Sequence, residues 1–169
     1  FKGKRRSIFS VVRYGNVMGS RGSVIPFFLK QDKNENYFTV TDKRMTRFNI
    51  TLNDAINFVF KSVNAMKGAE IFVPKIPSYS INQVAKSINK NKKIKIIGIR
   101  QGEKIHEELM NSSESIYATT EKNRIIIRPL SKIQKHKRLF SYNSYENENF
   151  LSAKEINNLI KKNLKDFEV

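Results

Sequence analysis

The chain has 169 residues and a mass of 19.7 kDa, enough for one domain with a hydrophobic core and short for two. Apolar residues make up 39%, no run approaches the ~18 apolar residues of a membrane span, and the absence of cysteine excludes disulfides, thiolate metal sites and cysteine nucleophiles. Its 32 Lys and Arg against 15 Asp and Glu give a formal charge of +17, which suits an anionic partner: nucleic acid, an acidic membrane surface or a phosphorylated small molecule.

No signal-peptide pattern is present, so the expectation is a soluble, cytoplasmic chain without a membrane segment. The sequence opens on Phe1 rather than methionine and reads as part of something longer. The basic residues fall in separated clusters (Lys2 to Arg6, Lys86 to Lys95, Lys132 to Arg138, Lys161 to Lys165), mostly lysine mixed with asparagine. That spacing favours solvated lysine faces over a nucleic-acid footprint.

In chain order, Ser7 to Tyr14 is a β-branched and aromatic run that predicts a buried strand of a parallel sheet. Residues 15–23 hold three glycines and two serines and predict a loop that lets backbone approach a ligand. A short helix or turn spans Val24 to Lys30, with Pro26 near its start. Tyr37 to Thr41 is a strand. Thr51 with Asp54 opens an amphipathic helix that carries Leu52, Ala55, Ile56, Val59, Val63 and Met66 on one face and stops at Gly68. Ala69 to Val73 is a strand, Ser80 to Lys90 a helix with a Ser80/Gln83 capping box, and Ile94 to Ile99 a further strand. Ile125 to Ile127 predicts an edge strand closed by Pro129. Residues 131–149 show no usable period, and Ser152 with Glu155 caps a last helix to about Asn163. The alternation argues for an α/β architecture without internal repeats.

Candidate chemistry is sparse. There is no GxGxxG, GxxxxGK[ST], GxSxG or Tyr-x-x-x-Lys. His106-Glu107-Glu108 reads as a surface polar cluster rather than a metal site. What remains is arginines beside backbone-exposing loops. Arg21 lies between Gly19 and Gly22, Arg47 precedes the strand-like Phe48 to Ile50, and Arg100 ends a strand before Gly102 and Glu103. Arginines at strand ends of an α/β protein stand where ligands bind, and a guanidinium matches phosphate oxygens bidentately. A carboxylate such as Glu103 suits a ribose hydroxyl pair.

The stretches VVRYGNVMGSRGSVIPFF (11–28), MTRFNITLNDAINFV (45–59), EIFVPKIPS (70–78) and IIGIRQGEKIHEEL (96–109), with SYNS (141–144) and FLS (150–152), closely resemble the nucleotide-sugar 4,6-dehydratases. More narrowly they resemble the inverting UDP-N-acetylglucosamine 4,6-dehydratases of polysaccharide and flagellin-glycan synthesis, in the extended short-chain dehydrogenase/reductase superfamily. The resemblance implies the C-terminal part of a Rossmann-type fold with the smaller substrate-binding subdomain, the N-terminal half being missing. Residues 1–169 would form one incomplete unit, last Rossmann strands interleaved with the sugar-nucleotide subdomain, and 131–169 a polar extension ending in a helix. It implies NADP held mainly by the missing half, UDP-N-acetylglucosamine as substrate, a homo-oligomer, and no nucleic-acid partner. Catalytic residues are expected in the missing half and none in this chain. Tyr14, Gly15 and Asn16 would meet the cofactor; Asn16, Ser20, Arg21, Gly22, Ser23, Val24 and Pro26 would cover the substrate. Arg47 and Arg100 would clamp the diphosphate, and Glu103 would hold the ribose. The family commonly has proline at Gln101 and tryptophan at Asn49; the first change loosens the turn that aims Arg100 and Glu103, the second removes an aromatic wall near the pocket. A degenerate remnant of the enzyme and a basic nucleic-acid-binding module are the rival readings.

Overall fold

The structure, a computed structural model, describes residues 7–128 and 138–163. In chain order the elements are β1 (Val11–Val12), β2 (Asn16–Val17), α1 (Val24–Asn34), β3 (Tyr37–Val40), β4 (Thr46–Ile50) and α2 (Leu52–Ala65). Then come β5 (Ile71–Pro74), β6 (Ser78–Ser80), α3 (Ile81–Ile88), β7 (Lys93–Ile96) and β8 (Glu108–Met110). A 3₁₀ turn at Glu114–Tyr117, β9 (Ala118–Thr120), β10 (Arg124–Ile127), β11 (Tyr142–Asn143) and α4 (Ala153–Lys162) complete the mixed α/β architecture. No helix among the described residues is long and apolar enough to cross a membrane.

The strands form a four-stranded sheet ordered β1-β5-β10-β9, a three-stranded sheet β2-β4-β6, and the pairs β3-β7 and β8-β11. β1 runs parallel to β5, β2 to β4 and β3 to β7; the remaining pairs are antiparallel. Two cores result. One packs α1, β3, α3 and α4 around Phe28, Phe38, Val84 and Ile156; the other packs β4, β5, β8 and β10 around Phe48, Val73, Met110 and Ile125.

Local chemistry explains the helix starts. Ser80 and Ser152 each accept the N–H three residues on, while Gln83 and Glu155 reach back to the cap N–H, so both capping boxes are complete. Thr51 accepts from the Asp54 N–H at 3.1 Å. α1 runs four residues beyond the expected Lys30 because its end is held from outside: Lys92 Nζ donates to the carbonyls of Gln31, Asp32 and Glu35 at 3.0, 2.6 and 2.8 Å. Lys92 is therefore no solvated lysine. It also pairs with the Asp32 carboxylate at 3.0 Å, lies over the Phe38 ring, and satisfies carbonyls that a helix end leaves open.

Three expectations change. The run Ser7 to Tyr14 does pair in parallel with β5, but Phe9 is 65% exposed and Val11 54%, because β1 is an edge with no neighbour on its far side among the described residues. Ile125–Ile127 is no edge: β10 lies between β5 and β9 and is buried, a position its continuous isoleucine run fits. In α2 the apolar face is bare; of its apolar residues only Ala55 is buried. Pro129 and residues 131–137 lie outside the described residues, as do Lys2 to Arg6 and Lys165 of the basic clusters.

Candidate functional site

A cleft of about 330 Å³ opens between the loop after β1, the start of α1, β4 and the 97–103 segment. Its size is at the lower end of what small-molecule sites use. Asn16, Gly22, Ser23, Val24, Arg47, Arg100 and Glu103 all line it, so predicted residues drawn from three separate stretches of sequence converge on one space. Tyr14 and Gly15 line an adjoining hollow of about 350 Å³, which Asn16 shares with Lys104 and Glu107. Ser20, Arg21 and Pro26 are not among the lining residues of either.

The geometry at each position follows from local structure. Gly19 and Gly22 have φ of 77° and 75°, the left-handed backbone that side chains resist, and this turns the chain sharply into α1. Gly15 is required by packing instead: a Cβ there would run into the Cβ of Phe48. Ser23 is the N-cap of α1, yet its hydroxyl makes no capping bond and is buried without a partner. The first turn carries no acidic residue, and its first main-chain bond is Phe27 N–H to the Ser23 carbonyl at 3.2 Å. The N–H groups of the turn and the positive end of the helix dipole thus face a cleft that also contains two arginines.

The two arginines differ. Arg47 Nη1 donates to the carbonyls of Thr46 and Ile105 at 2.7 and 3.0 Å, which leaves Nη2, in contact with the Met45 sulfur at 3.7 Å, with donors to spare. Arg100 is exposed, and among the described residues its guanidinium has no hydrogen-bond or ion-pair partner. The turn that carries it closes on itself: the Glu103 N–H donates to the Arg100 carbonyl at 3.1 Å, and the Arg100 N–H donates to Glu103 Oε2 at 3.0 Å. The second Glu103 oxygen remains open as an acceptor.

Sequence reasoning set His106-Glu107-Glu108 aside as a surface polar cluster, whereas His106 and Glu107 are half-buried and bonded inward, and it did not single out Tyr79, Met45, Thr46 or Ser144. Thr46 Oγ1 lies 2.8 Å from His106 Nδ1 and 2.7 Å from Ser144 Oγ, and Ser144 Oγ accepts the Glu107 N–H at 2.9 Å. These bonds fasten SYNS to the 105–108 segment. Burial and the nearby Arg47 and Arg44 charges, partly offset by Asp42, hold the His106 imidazole below its usual pKa, and its ring stacks on Tyr145. Burial pushes the Tyr79 phenol far up, with the Glu107 charge adding to it and Arg47 opposing. The signal for such residues is weak, since hydroxyls and a tyrosine become site residues only through long-range packing. Asn49 lines a different and larger cleft, of about 770 Å³, between α2 and the β9–β10 hairpin tip; it is 3% exposed and its Oδ1 has no partner. It does not wall the cleft of Arg47.

For a dinucleotide cofactor, the hollow beside Tyr14 provides one phenol, one lysine and the carboxylates Glu107 and Glu108. That donor set fits a nicotinamide ring, a cation in its oxidised form, and not phosphates, whose negative charge the two carboxylates would oppose.

Known proteins match this chain over nearly its whole length. The chain is 42% identical over 175 residues to UDP-N-acetylglucosamine 4,6-dehydratase (inverting) from Campylobacter jejuni strain 81-176, covering 94% of this chain and 52% of that protein. The protein of the same description from strain NCTC 11168 is 41% identical, with the same coverage. The X-ray structure of Pen from Bacillus thuringiensis superposes with a TM-score of 0.81 at 40% identity, covering 95% of this chain and 51% of that one. The chain spans about half the length of the curated relatives it matches. Residues 1–129, which contain every residue lining the cleft, match the polysaccharide biosynthesis protein family, and the chain belongs to that family.

Proposed function

We propose that this chain is the substrate-binding half of an NADP-dependent UDP-N-acetylglucosamine 4,6-dehydratase that inverts C5, and that its cleft takes the UDP portion of the substrate. The observation that carries the reading is the convergence of Arg47, Arg100, Glu103 and the α1 N-terminus on one cleft. Two arginines and a helix N-terminus offset the two charges of a diphosphate, and the open Glu103 oxygen suits a ribose hydroxyl. The relatives named above support the substrate class.

The division of labour follows from what the residues can do. Arg47, anchored by two carbonyls, is preorganised; Arg100 is free to close on the ligand. Both bind and orient, and neither is placed to move a proton. NADP, when bound, would accept and return the hydride; Tyr14 and Gly15 fit its nicotinamide end, and its phosphates need residues beyond those described. The bare edge of β1 and the bare face of α2 support a Rossmann-type sheet continuing past β1, with homo-oligomer assembly belonging to the intact protein. Use of these metabolites puts the protein in the cytoplasm.

Isothermal titration with UDP tests the reading. Arg47→Ala is expected to cost roughly 2–4 kcal/mol, the range for removing one partner of a desolvated charge pair. Arg100→Ala should cost about 1–2 kcal/mol, discounted for its exposure. Arg100→Lys should recover only part of that, because an ammonium lacks the fork. Glu103→Gln should weaken UDP more than 2′-deoxy-UDP. UDP affinity untouched by both arginine deletions would exclude this cleft as the nucleotide site.

A further inference from the structure

Glu107 stands where β2, β4 and the 103–108 segment meet. Its Oε2 accepts the Phe48 N–H at 3.0 Å. With the Asn16 amide nitrogen turned toward it, the orientation its surroundings require, Asn16 donates to both carboxylate oxygens at 2.6 and 3.1 Å. Arg47 Nε lies 3.9 Å from Oε1, too far for a hydrogen bond and close enough for charge to count. Asn16 and Arg47 both line the cleft, and Glu107 does not; it lines the neighbouring hollow.

We propose that Glu107 is a positioning residue of the cleft: it ties the Asn16 loop to β4 and supplies the counter-charge that holds Arg47 facing a bound anion. The proposal rests on the nucleotide reading for its ligand and on the contacts above for its geometry. The Phe48 N–H and the Asn16 amide take three of the carboxylate's roughly four acceptor sites, so it has little capacity left to bind ligand directly. Burial pushes its carboxyl up, while the Phe48 N–H, Arg47 and Lys104 pull it back. The other charged or titratable group facing it is the Tyr79 phenol of β6. Without the carboxylate, the Asn16 amide would lose its acceptor and Arg47 its nearest negative charge, freeing both to turn away. Asn16 on this account is a strut, with its amide nitrogen spent on Glu107 rather than on a phosphate.

The test uses the protein at its natural length and has two arms. In the first, UDP binding is measured for Glu107→Gln and Arg47→Ala, singly and together. Glu107→Gln keeps the size and one acceptor but loses the charge, and should weaken UDP about tenfold, a coupling of ordinary size for contacting residues. In the Arg47→Ala background the same change should cost less than about twofold, since additive effects agree within that margin. Unchanged affinity in Glu107→Gln, or full additivity with Arg47→Ala, overturns the proposal. The second arm needs no ligand: the side-chain amide protons of Asn16, read by NMR, should shift and exchange faster in Glu107→Gln. Unmoved Asn16 signals overturn the proposal whatever UDP does. If the unmodified protein binds no UDP, the nucleotide reading fails, and the Asn16 signals alone decide whether Glu107 positions the loop. Should Glu107→Gln not fold, Glu107→Asp, which keeps the charge but shortens the reach, is read in the same two ways.

Discussion

Helices α2 and α3 both open on a hydroxyl N-cap and both carry an apolar stripe. α3 buries Ile81, Val84 and Ala85 between α1 and α4, whereas α2 leaves Ile56, Val59, Phe60 and Val63 between 37 and 66% exposed. The difference is not in the helices. A stripe at helical spacing states which side wants covering and says nothing of whether the described chain supplies the cover. α3 has α4, which begins 65 positions after α3 ends at Ile88, as its lid; α2 and the edge strand β1 have none among the described residues.

The largest contrast to test is a charge on each stripe. Val84 is 0% exposed, so Val84→Asp buries an unpaired carboxylate and should cost more than about 4 kcal/mol, enough to unfold the domain. Phe60 is 66% exposed, and Phe60→Asp should stay within about 0.5 kcal/mol in urea unfolding while reducing self-association. A collapse in Phe60→Asp as severe as in Val84→Asp would break the comparison, because it would mean that α2 is covered in the whole protein.

Next comes the well-packed half itself, where Lys92 and Lys93 look alike in sequence. The Lys92 side chain is 10% exposed, and its ammonium serves three carbonyls and the Asp32 carboxylate. Lys92→Met should cost about 1.5–3 kcal/mol, the range for hydrogen bonds to a charged group. Lys93 is exposed, and Lys93→Met should cost less than about 0.5 kcal/mol. Equal effects in a thermal melt would return the Lys86 to Lys95 cluster to the solvated face expected from composition.

That pair marks how far the sequence could be read. The capping boxes at Ser80 and Ser152, the Thr51 cap and the glycine turns were legible because each is decided within a few residues. Arg47, Arg100 and Glu103 were legible as a group through the family motifs around them. Lys92 was not, since its three acceptors lie 57 to 61 residues away. Glu107 was not, since its donors come from residues 16 and 48. The two-residue strands β1, β2 and β11 have too few residues to show any period, and the burial of β10 depends on two partners. Asn49 was misread because it stands further along β4 than Arg47, so that the two residues, though on one face of the strand by alternation, line different spaces.

Caps give a smaller and sharper test. Ser80→Ala and Ser152→Ala should each cost about 1 kcal/mol of global stability, because α3 and α4 are packed on each other. Thr51→Ala removes a cap of the same kind, yet α2 is held by little else. Its cost should therefore show as faster amide exchange confined to the first turns of α2, with a smaller change in global unfolding. Global losses of equal size in all three would contradict the idea that α2 is energetically separate.

The smallest effect concerns the rim of the cleft. Residues 100–103 form a four-residue turn with the Glu103 N–H donating to the Arg100 carbonyl at 3.1 Å and Gly102 at φ of 83°. Positive φ at the third position marks a type II turn, whose second position favours proline because its φ is already near −60°. Gln101 holds that second position; the Gln101 side chain is exposed, and no hydrogen bond ties the Gln101 N–H among the described residues. Gln101→Pro should then raise stability by about 0.4–1 kcal/mol by narrowing the unfolded chain, without adding a contact. The same change should leave UDP affinity equal or better, since it stiffens the turn that carries both Arg100 and Glu103. Urea unfolding and UDP titration on the one variant read both effects. A loss of stability would mean that the backbone at Gln101 departs from the type II geometry, and the expected benefit of proline at this position would fall with it.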